Sequence, residues 1–227
     1  MRKLVWLCGL ILGLTSCASK PETLLTNLPL AGEVRGASAS ITEASLQEAA
    51  VSKREDRIVV ARLSLKNRTG KAVSFGPGHV YVADATGELF LRISENWLGD
   101  FYTARVNGRP AAALAKAIVP FPSDEVTVGD AVFRSPPLTA VQKGKMAEEM
   151  AELVEEVFVR PRREAPGDFL ERGVEGALGV FLKDVTLQPN QGISGFVYFY
   201  HSAATKLQYP LRLIADLEGE VSTFLYQ

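Results

Sequence analysis

The residues between Arg57 and Asn67 alternate between apolar and polar side chains, which is the pattern of a β-strand with one buried face. The apolar positions of this strand are Val59, Ala61, Leu63 and Leu65. Turn-forming residues follow at 67–70, and the alternation resumes in phase at Val73 and Phe75. The segment therefore predicts two strands joined by a turn.

Three later segments predict antiparallel pairs of strands by the same alternation. Their turns are expected at Asp84–Gly87, Gln188–Gly192 and Glu218–Glu220. Asn190 and Gly192 suit the positive φ angles of such turns. Because no succession of helical crossovers separates the strands, the pattern favours antiparallel sheets over a parallel α/β sheet.

One long helix is predicted from Thr139 to Val159. Apolar residues recur there at spacings of three and four and form one stripe, which includes Met146, Met150, Leu153 and Val157. Glutamates occupy most of the remaining surface, and Pro161 ends the helix. We expect this amphipathic helix to pack on a β-sandwich.

Residues 94–122 have no clear period. They combine aromatic residues, a Gly-Arg-Pro sequence and an alanine-rich stretch that predicts a short helix ending before Pro120. A further strand is expected through Val126 and Val128.

The N-terminus has the order of a secretory signal peptide. Arg2 and Lys3 precede an apolar run from Leu4 to Leu14. At roughly 11 residues, this run is much shorter than the ~20 residues that a helix needs to cross a bilayer.

Small residues then lead to a cysteine, and Leu14-Thr15-Ser16-Cys17 resembles the lipobox of bacterial lipoproteins. The resemblance implies that a diacylglyceryl group is attached to Cys17 and that the chain is cut after Ser16. Ordinary signal-peptide cleavage nearby is the alternative. Ala18 is not the Asp that favours inner-membrane retention, so the resemblance implies the periplasmic face of the outer membrane in a double-membrane bacterium.

Three regions follow from this interpretation: a signal peptide at 1–16, a lipidated tether at 17–31 and a β-sandwich domain at 32–227. An extended tether of this length would reach about 40 Å from the bilayer. The alternative is that its leucines dock on the domain. Cys17 would be the only cysteine after cleavage, which excludes an intramolecular disulfide in the mature chain.

The segments LSLKNRTGKAVSF and VTLQPNQGISGFVYFY resemble the immunoglobulin-like domains of extracytoplasmic bacterial lipoproteins. The resemblance implies a mainly β, immunoglobulin-like antiparallel sandwich, on which the predicted helix would pack. It carries little information about activity.

The charge balance argues against a nucleic-acid partner. The 25 basic residues of the chain include Arg2 and Lys3 of the leader, which leaves 23 against 26 acidic residues. The partners expected are the membrane, through the lipid, and another envelope protein.

The sequence shows no familiar catalytic or metal-binding motif. Its two histidines, His79 and His201, lie far apart, and we expect both at the surface or at a strand edge. There is no nucleophile elbow and no phosphate-binding loop. We therefore expect neither enzymatic activity nor a metal or other cofactor.

Trp97, Phe101 and Tyr102 are the candidate contacts for a ligand or partner, because aromatic residues in an irregular segment can form a binding platform. The alternative is that they seal one end of the sandwich. Together these patterns predict a lipid-anchored, non-catalytic interaction or assembly module of the cell envelope. A lipoprotein that binds glycans or small ligands through residues 97–102 is the second hypothesis.

Overall fold

The computed structural model shows a mainly β chain with antiparallel sheets and two α-helices. It describes residues 23–35, 39–51, 54–109, 116–120, 125–160 and 179–227.

Ten strands form the two larger sheets. The six-stranded sheet has the spatial order β1 (Thr23–Asn27), β3 (Ala39–Val51), β4 (Arg57–Asn67), β12 (Gly192–His201), β7 (Leu91–Ile93) and β8 (Ile118–Val119). The four-stranded sheet has the order β2 (Leu30–Val34), β14 (Glu220–Tyr226), β13 (Leu211–Leu217) and β6 (Val80–Ala83).

The remaining strands form two small ribbons, and the helices lie between strands of the sheets along the chain. The ribbons are β5 (Val73–Phe75) with β11 (Val185–Leu187), and β9 (Glu125–Val128) with β10 (Ala131–Arg134). The helices are α1 (Glu95–Val106) and α2 (Ala140–Val154), and α2 continues as a π-helical turn over Glu155–Val159. A short 3-10 helix spans Pro77–His79.

The six-stranded sheet is apolar on both faces. One face of β4 carries the predicted Val59, Ala61, Leu63 and Leu65, which share a core with β13 and β14 of the other sheet. On the opposite face, Ile58 and Val60 pack in a second core with the two helices. The chain thus has three layers: helices, six-stranded sheet and four-stranded sheet.

The predicted long helix is confirmed, and its start has a clear physical cause. The Thr139 hydroxyl accepts a hydrogen bond from the backbone N–H of Gln142, and the Gln142 side chain accepts one from the backbone N–H of Thr139. This reciprocal capping box satisfies two donors that a helix start otherwise leaves unpaired. The apolar stripe, including Met150 and Leu153, is buried against the sheet.

Helix α1 was not predicted. It begins after Ser94, whose side chain accepts a hydrogen bond from the backbone N–H of Trp97. The alanine-rich stretch that was expected to form a helix lies largely outside the described residues. The expected strand at 125–133 is two strands, β9 and β10.

The N-terminal boundary of the folded domain was placed too late. β1 pairs with β3 from Thr23 to Asn27, and β2 pairs with β14 from Leu30 to Val34. Leu28 packs against the core between the sheets. Residues 23–31 of the expected tether at 17–31 therefore belong to the fold, at one edge of each sheet, and residues 17–22 lie outside the described residues.

Two turns have the same local design. Asn67 and Asp84 each use a side-chain oxygen to accept hydrogen bonds from the backbone N–H and the hydroxyl of a threonine two residues later. A glycine with positive φ follows each threonine. The turn at Asp84–Gly87 is thus confirmed, but its two arms, β6 and β7, belong to different sheets.

The C-terminal hairpin is confirmed with its turn at Glu218–Gly219, where both φ angles are positive. The two strands around Gln188–Gly192 are also present, but β11 pairs with β5 and β12 pairs with β4. Asn190 has the positive φ expected for it. The strand order of the sheets does not confirm an immunoglobulin-like topology.

Candidate functional site

A cavity of about 520 Å³ lies beside the first half of α2. Four segments line it: Glu88–Leu91, Pro136–Leu138, the face of α2 from Gln142 to Glu149, and Tyr200–Thr205. Its size is within the range of small-ligand sites in proteins. This cavity is the candidate functional site.

The Asp84 turn holds Glu88 at the cavity. The Asp84 carboxylate accepts a hydrogen bond from the backbone N–H of Glu88 at 3.1 Å, in addition to its bonds from Thr86. Asp84 is itself buried, so these bonds satisfy a carboxylate that would otherwise be costly to bury. The position of Glu88 is therefore fixed by the turn that precedes it.

His201 is buried in the cavity wall, with 3% of its surface exposed, so the expected surface or edge position is wrong for this residue. It lies at the end of β12, where the sheet and the helical layer meet, and its ring packs against Phe90 with a centroid separation of 4.8 Å. A residue at a strand end can be buried when another layer covers it, and the sequence alone did not reveal which strand ends the helical layer covers.

A hydrogen-bonded chain connects Glu88, Thr205 and His201. The Thr205 hydroxyl donates to the Glu88 carboxylate at 3.2 Å and lies 3.3 Å from His201 Nε2. The direction of the hydrogen bond between Thr205 and His201 depends on the tautomer of the imidazole ring. The other ring nitrogen, Nδ1, is buried without a hydrogen-bond partner among the described residues.

Burial shifts the pKa values of Glu88 and His201, the two ionisable ends of this chain, in the directions that favour their neutral forms. Desolvation lowers the pKa of His201, although the nearby carboxylate of Asp84 opposes the effect. Desolvation raises the pKa of Glu88, and its hydrogen bond from Thr205 opposes that effect. Both groups are thus partly removed from water.

This hydrogen-bonded chain joins two segments that are distant in sequence. Glu88 follows the Asp84 turn, and Thr205 follows β12. The arrangement fixes the loop after β12 against the Asp84 turn.

The charged groups of the cavity differ in their pairing. Glu149 lies 3.7 Å from Lys145 on the same helix. Among the described residues, no basic side chain lies within ion-pair distance of Glu88, although this carboxylate is only partly exposed. The cavity therefore contains one carboxylate that forms no ion pair with any basic residue of the described ranges.

The aromatic residues predicted as a platform lie elsewhere and are buried. Trp97, Phe101 and Tyr102 have exposed fractions of 6%, 3% and 2%, and the rings of Trp97 and Phe101 stack at 4.7 Å. They project from α1 into the core beneath the helices. These three residues therefore form no exposed platform, and they lie in the core between the helices and the six-stranded sheet rather than in a loop that seals one end of a sandwich.

A signal for this arrangement was present in the sequence. Trp97, Leu98, Phe101 and Tyr102 recur at helical spacing directly after Ser94, a favourable N-cap.

The other predicted site residues do not join the cavity. Cys17 lies outside the described residues. His79 is half-buried in the 3-10 helix and stacks on Phe75 at 5.7 Å. Within the described ranges, no group of three or more His, Cys, Asp or Glu residues could hold a metal ion, and neither helix is long and apolar enough to span a membrane.

Comparisons of this chain with protein-family models, with curated proteins and with solved structures found no match.

Proposed function

We propose that this protein is a lipid-anchored, non-catalytic interaction module of the bacterial cell envelope. The lipobox-like sequence ending at Cys17 supports the anchor, and Ala18 supports the periplasmic face of the outer membrane. The partner is another envelope protein that adds an extended segment to the sheet at β2.

The open edge of β2 is the observation that carries this proposal. Among the described strands, β14 is the only neighbour of β2 in its sheet. Leu30 and Val34 at its two ends are 50% and 71% exposed. Exposed apolar residues on an edge strand favour pairing with another chain, through backbone hydrogen bonds and side-chain contacts.

The short distance between Cys17 and the fold supports a partner in the same membrane. Six residue steps separate Cys17 from Thr23, and at ~3.3–3.6 Å for each step they span at most about 20 Å. A lipid on Cys17 would hold the β2 edge near the bilayer surface. Confinement of both proteins to one membrane raises their effective concentration and allows a weak contact to form.

The test is site-specific photo-crosslinking in intact cells. A photoreactive amino acid replaces Val34 in one variant and Val141 in the other. Val141 is the matched control, because it is also an exposed valine, at 83%, but lies on α2 in the helical layer. We expect a discrete crosslinked product from position 34, identified by mass spectrometry as an envelope protein, and none from position 141.

A charge substitution at the other end of β2 sharpens the test. Leu30→Lys, made in the chain that carries the photoreactive residue at position 34, should weaken the crosslink by about tenfold or more, because full burial of such a side chain contributes about 1.5–3 kcal/mol. Leu30 is half exposed, so the thermal stability should change little. Equal products from positions 34 and 141, or a product from position 34 that Leu30→Lys leaves unchanged, would contradict binding at this edge.

A further inference from the structure

We propose that the cavity beside His201 binds a small organic cation, an amine attached to an apolar body, with Glu88 as its counter-charge. This site needs neither the lipid nor the open edge of β2, because it lies where the helical layer meets the six-stranded sheet. Its failure would leave the proposed envelope function intact.

The negative charge of Glu88 favours a ligand with a positive charge. Glu88 is only partly exposed and has no basic partner within the described part of the chain. Its neighbour Asp84 is a second carboxylate, which makes the loss of hydration at Glu88 harder to offset. A ligand ammonium group would supply the missing positive charge, whereas an anionic ligand would be repelled.

The other charged groups of the lining do not supply that charge. Lys145 lies beside Glu149, and three quarters of its side chain is exposed to solvent. The Thr205 hydroxyl gives Glu88 one hydrogen bond but no charge. A carboxylate has room for several further donors, so Glu88 can accept the N–H groups of an amine while it keeps its bond to Thr205.

The walls select an apolar body for the ligand. Five apolar residues are part of the cavity lining: Leu89, Phe90, Leu91, Leu138 and Met146. Phe90 also packs on the neutral ring of His201, so this wall carries no formal charge. A small hydrated inorganic cation would leave these surfaces without contacts, whereas an alkyl or aryl amine would cover them.

The experiment compares 2-phenylethylamine with 2-phenylethanol by NMR titration of the isotope-labelled chain at pH 7. The two probes have nearly the same shape, but the amine is protonated at this pH. We expect the amine to shift the amide signals of Leu89–Leu91 and Tyr200–Ser202, and to bind at least tenfold more tightly than the alcohol.

Glu88→Gln should reduce the affinity for the amine to that for the alcohol. Glu148→Gln removes one negative charge from the exposed face of α2, outside the cavity, and should leave both affinities unchanged. Ala203→Trp adds a large ring to the exposed lining at the mouth of the cavity and should weaken both probes.

Three results would overturn the proposal. The first is equal affinity of the wild-type chain for the amine and the alcohol, which would show that charge plays no role. The second is amine binding that Glu88→Gln and Glu148→Gln weaken equally, which would show a general charge effect. The third is an absence of shifts at the cavity up to 10 mM amine, a concentration well above ordinary ligand affinities.

Discussion

Arg54 and Asp56 form a two-point ion pair, in which Nε and Nη2 of Arg54 each donate to a different carboxylate oxygen at 2.8 Å. Arg54 Nη2 also donates to the backbone carbonyl of Glu149 on α2, at 3.0 Å. Asp56 is 3% exposed and also accepts a hydrogen bond from Tyr200 at 3.4 Å. The pair therefore joins the start of β4 to the helix that covers the sheet.

Removal of Asp56 should destabilise the fold. We expect Asp56→Ala to lower the free energy of unfolding by about 1–3 kcal/mol, because the partly buried Arg54 would lose its two-point partner and the buried Tyr200 hydroxyl would lose its acceptor. Urea denaturation followed by circular dichroism measures this change. Glu152→Gln is the control: its carboxylate also contacts Arg54 but is 71% exposed, so its loss should cost less than about 1 kcal/mol. Equal losses in the two variants would show that burial does not set the strength of this pair.

Trp97→Ala tests the assignment of the aromatic residues to the core. The substitution removes a buried ring that stacks on Phe101, and we expect a loss of about 3–5 kcal/mol in the free energy of unfolding. Differential scanning calorimetry should show a clearly lower Tm. A Tm close to that of the wild type would restore the hypothesis of an exposed platform.

Two glycine substitutions should change the free energy of unfolding in opposite directions. Gly144 lies inside α2, and a Cβ there would have no neighbour within 4 Å, so Gly144→Ala should stabilise the chain by up to about 1 kcal/mol. A Cβ on Gly195 would lie 2.6 Å from the backbone nitrogen of Leu182, so Gly195→Ala should destabilise it by about 1–3 kcal/mol. Chemical denaturation of both variants checks the signs. A stable Gly195→Ala variant would mean that residues 180–182 do not lie directly over β12.

His201 should make stability depend on pH below about 6.5, its ordinary pKa. Burial lowers the pKa of His201 in the folded chain. Between that lowered value and 6.5 the unfolded chain binds more protons than the folded chain, so the stability decreases as the pH is lowered. One proton gives a slope of at most about 1.4 kcal/mol per pH unit.

The neighbours of His201 modify this slope without removing it. Asp84, Glu48 and Asp56 favour its charged form, and Arg57 opposes it. Glu88 has a raised pKa, so it contributes in the opposite direction between 4.5 and its higher folded value. Comparison of wild type with His201→Gln from pH 7 to 5 isolates the histidine: the variant should lose less stability, and parallel curves would contradict its burial.

Cys17→Ser tests the anchor directly. The thiol is the group that a lipobox presents for alkylation, so the serine variant should move from the membrane to the soluble fraction of the cell without loss of the fold. Fractionation, with mass spectrometry of the native N-terminus, checks this outcome. An unmodified N-terminus at a residue other than 17 would remove the anchor from the proposed function.

The sequence predicted elements whose signal is local. The side chains of β4 and of the C-terminal hairpin alternate between buried and more exposed positions, because one face of each strand packs on a core. In β4 the opposite face is more polar from Arg62 onwards. α2 has an N-cap and an apolar stripe, and Pro161 follows it in the sequence; each of these signals acts within a few residues.

Features that depend on the third layer could not be predicted in the same way. Burial of Ile58 and Val60 on the second face of β4, and of His201 at the end of β12, arises from contacts with residues distant in sequence. The placement of β6 in one sheet and of β7 in the other also depends on strands that are distant in sequence. The cavity was missed because its lining comes from four separate segments.

The two strands next to the N-terminus have a practical consequence for anyone who shortens this protein. Because β1 closes one sheet and β2 closes the other, a chain that started at Ala39 would expose fresh hydrogen-bonding edges on both sheets at once. Such a truncation invites self-association. Any shortened version should therefore keep every residue from Thr23 onwards.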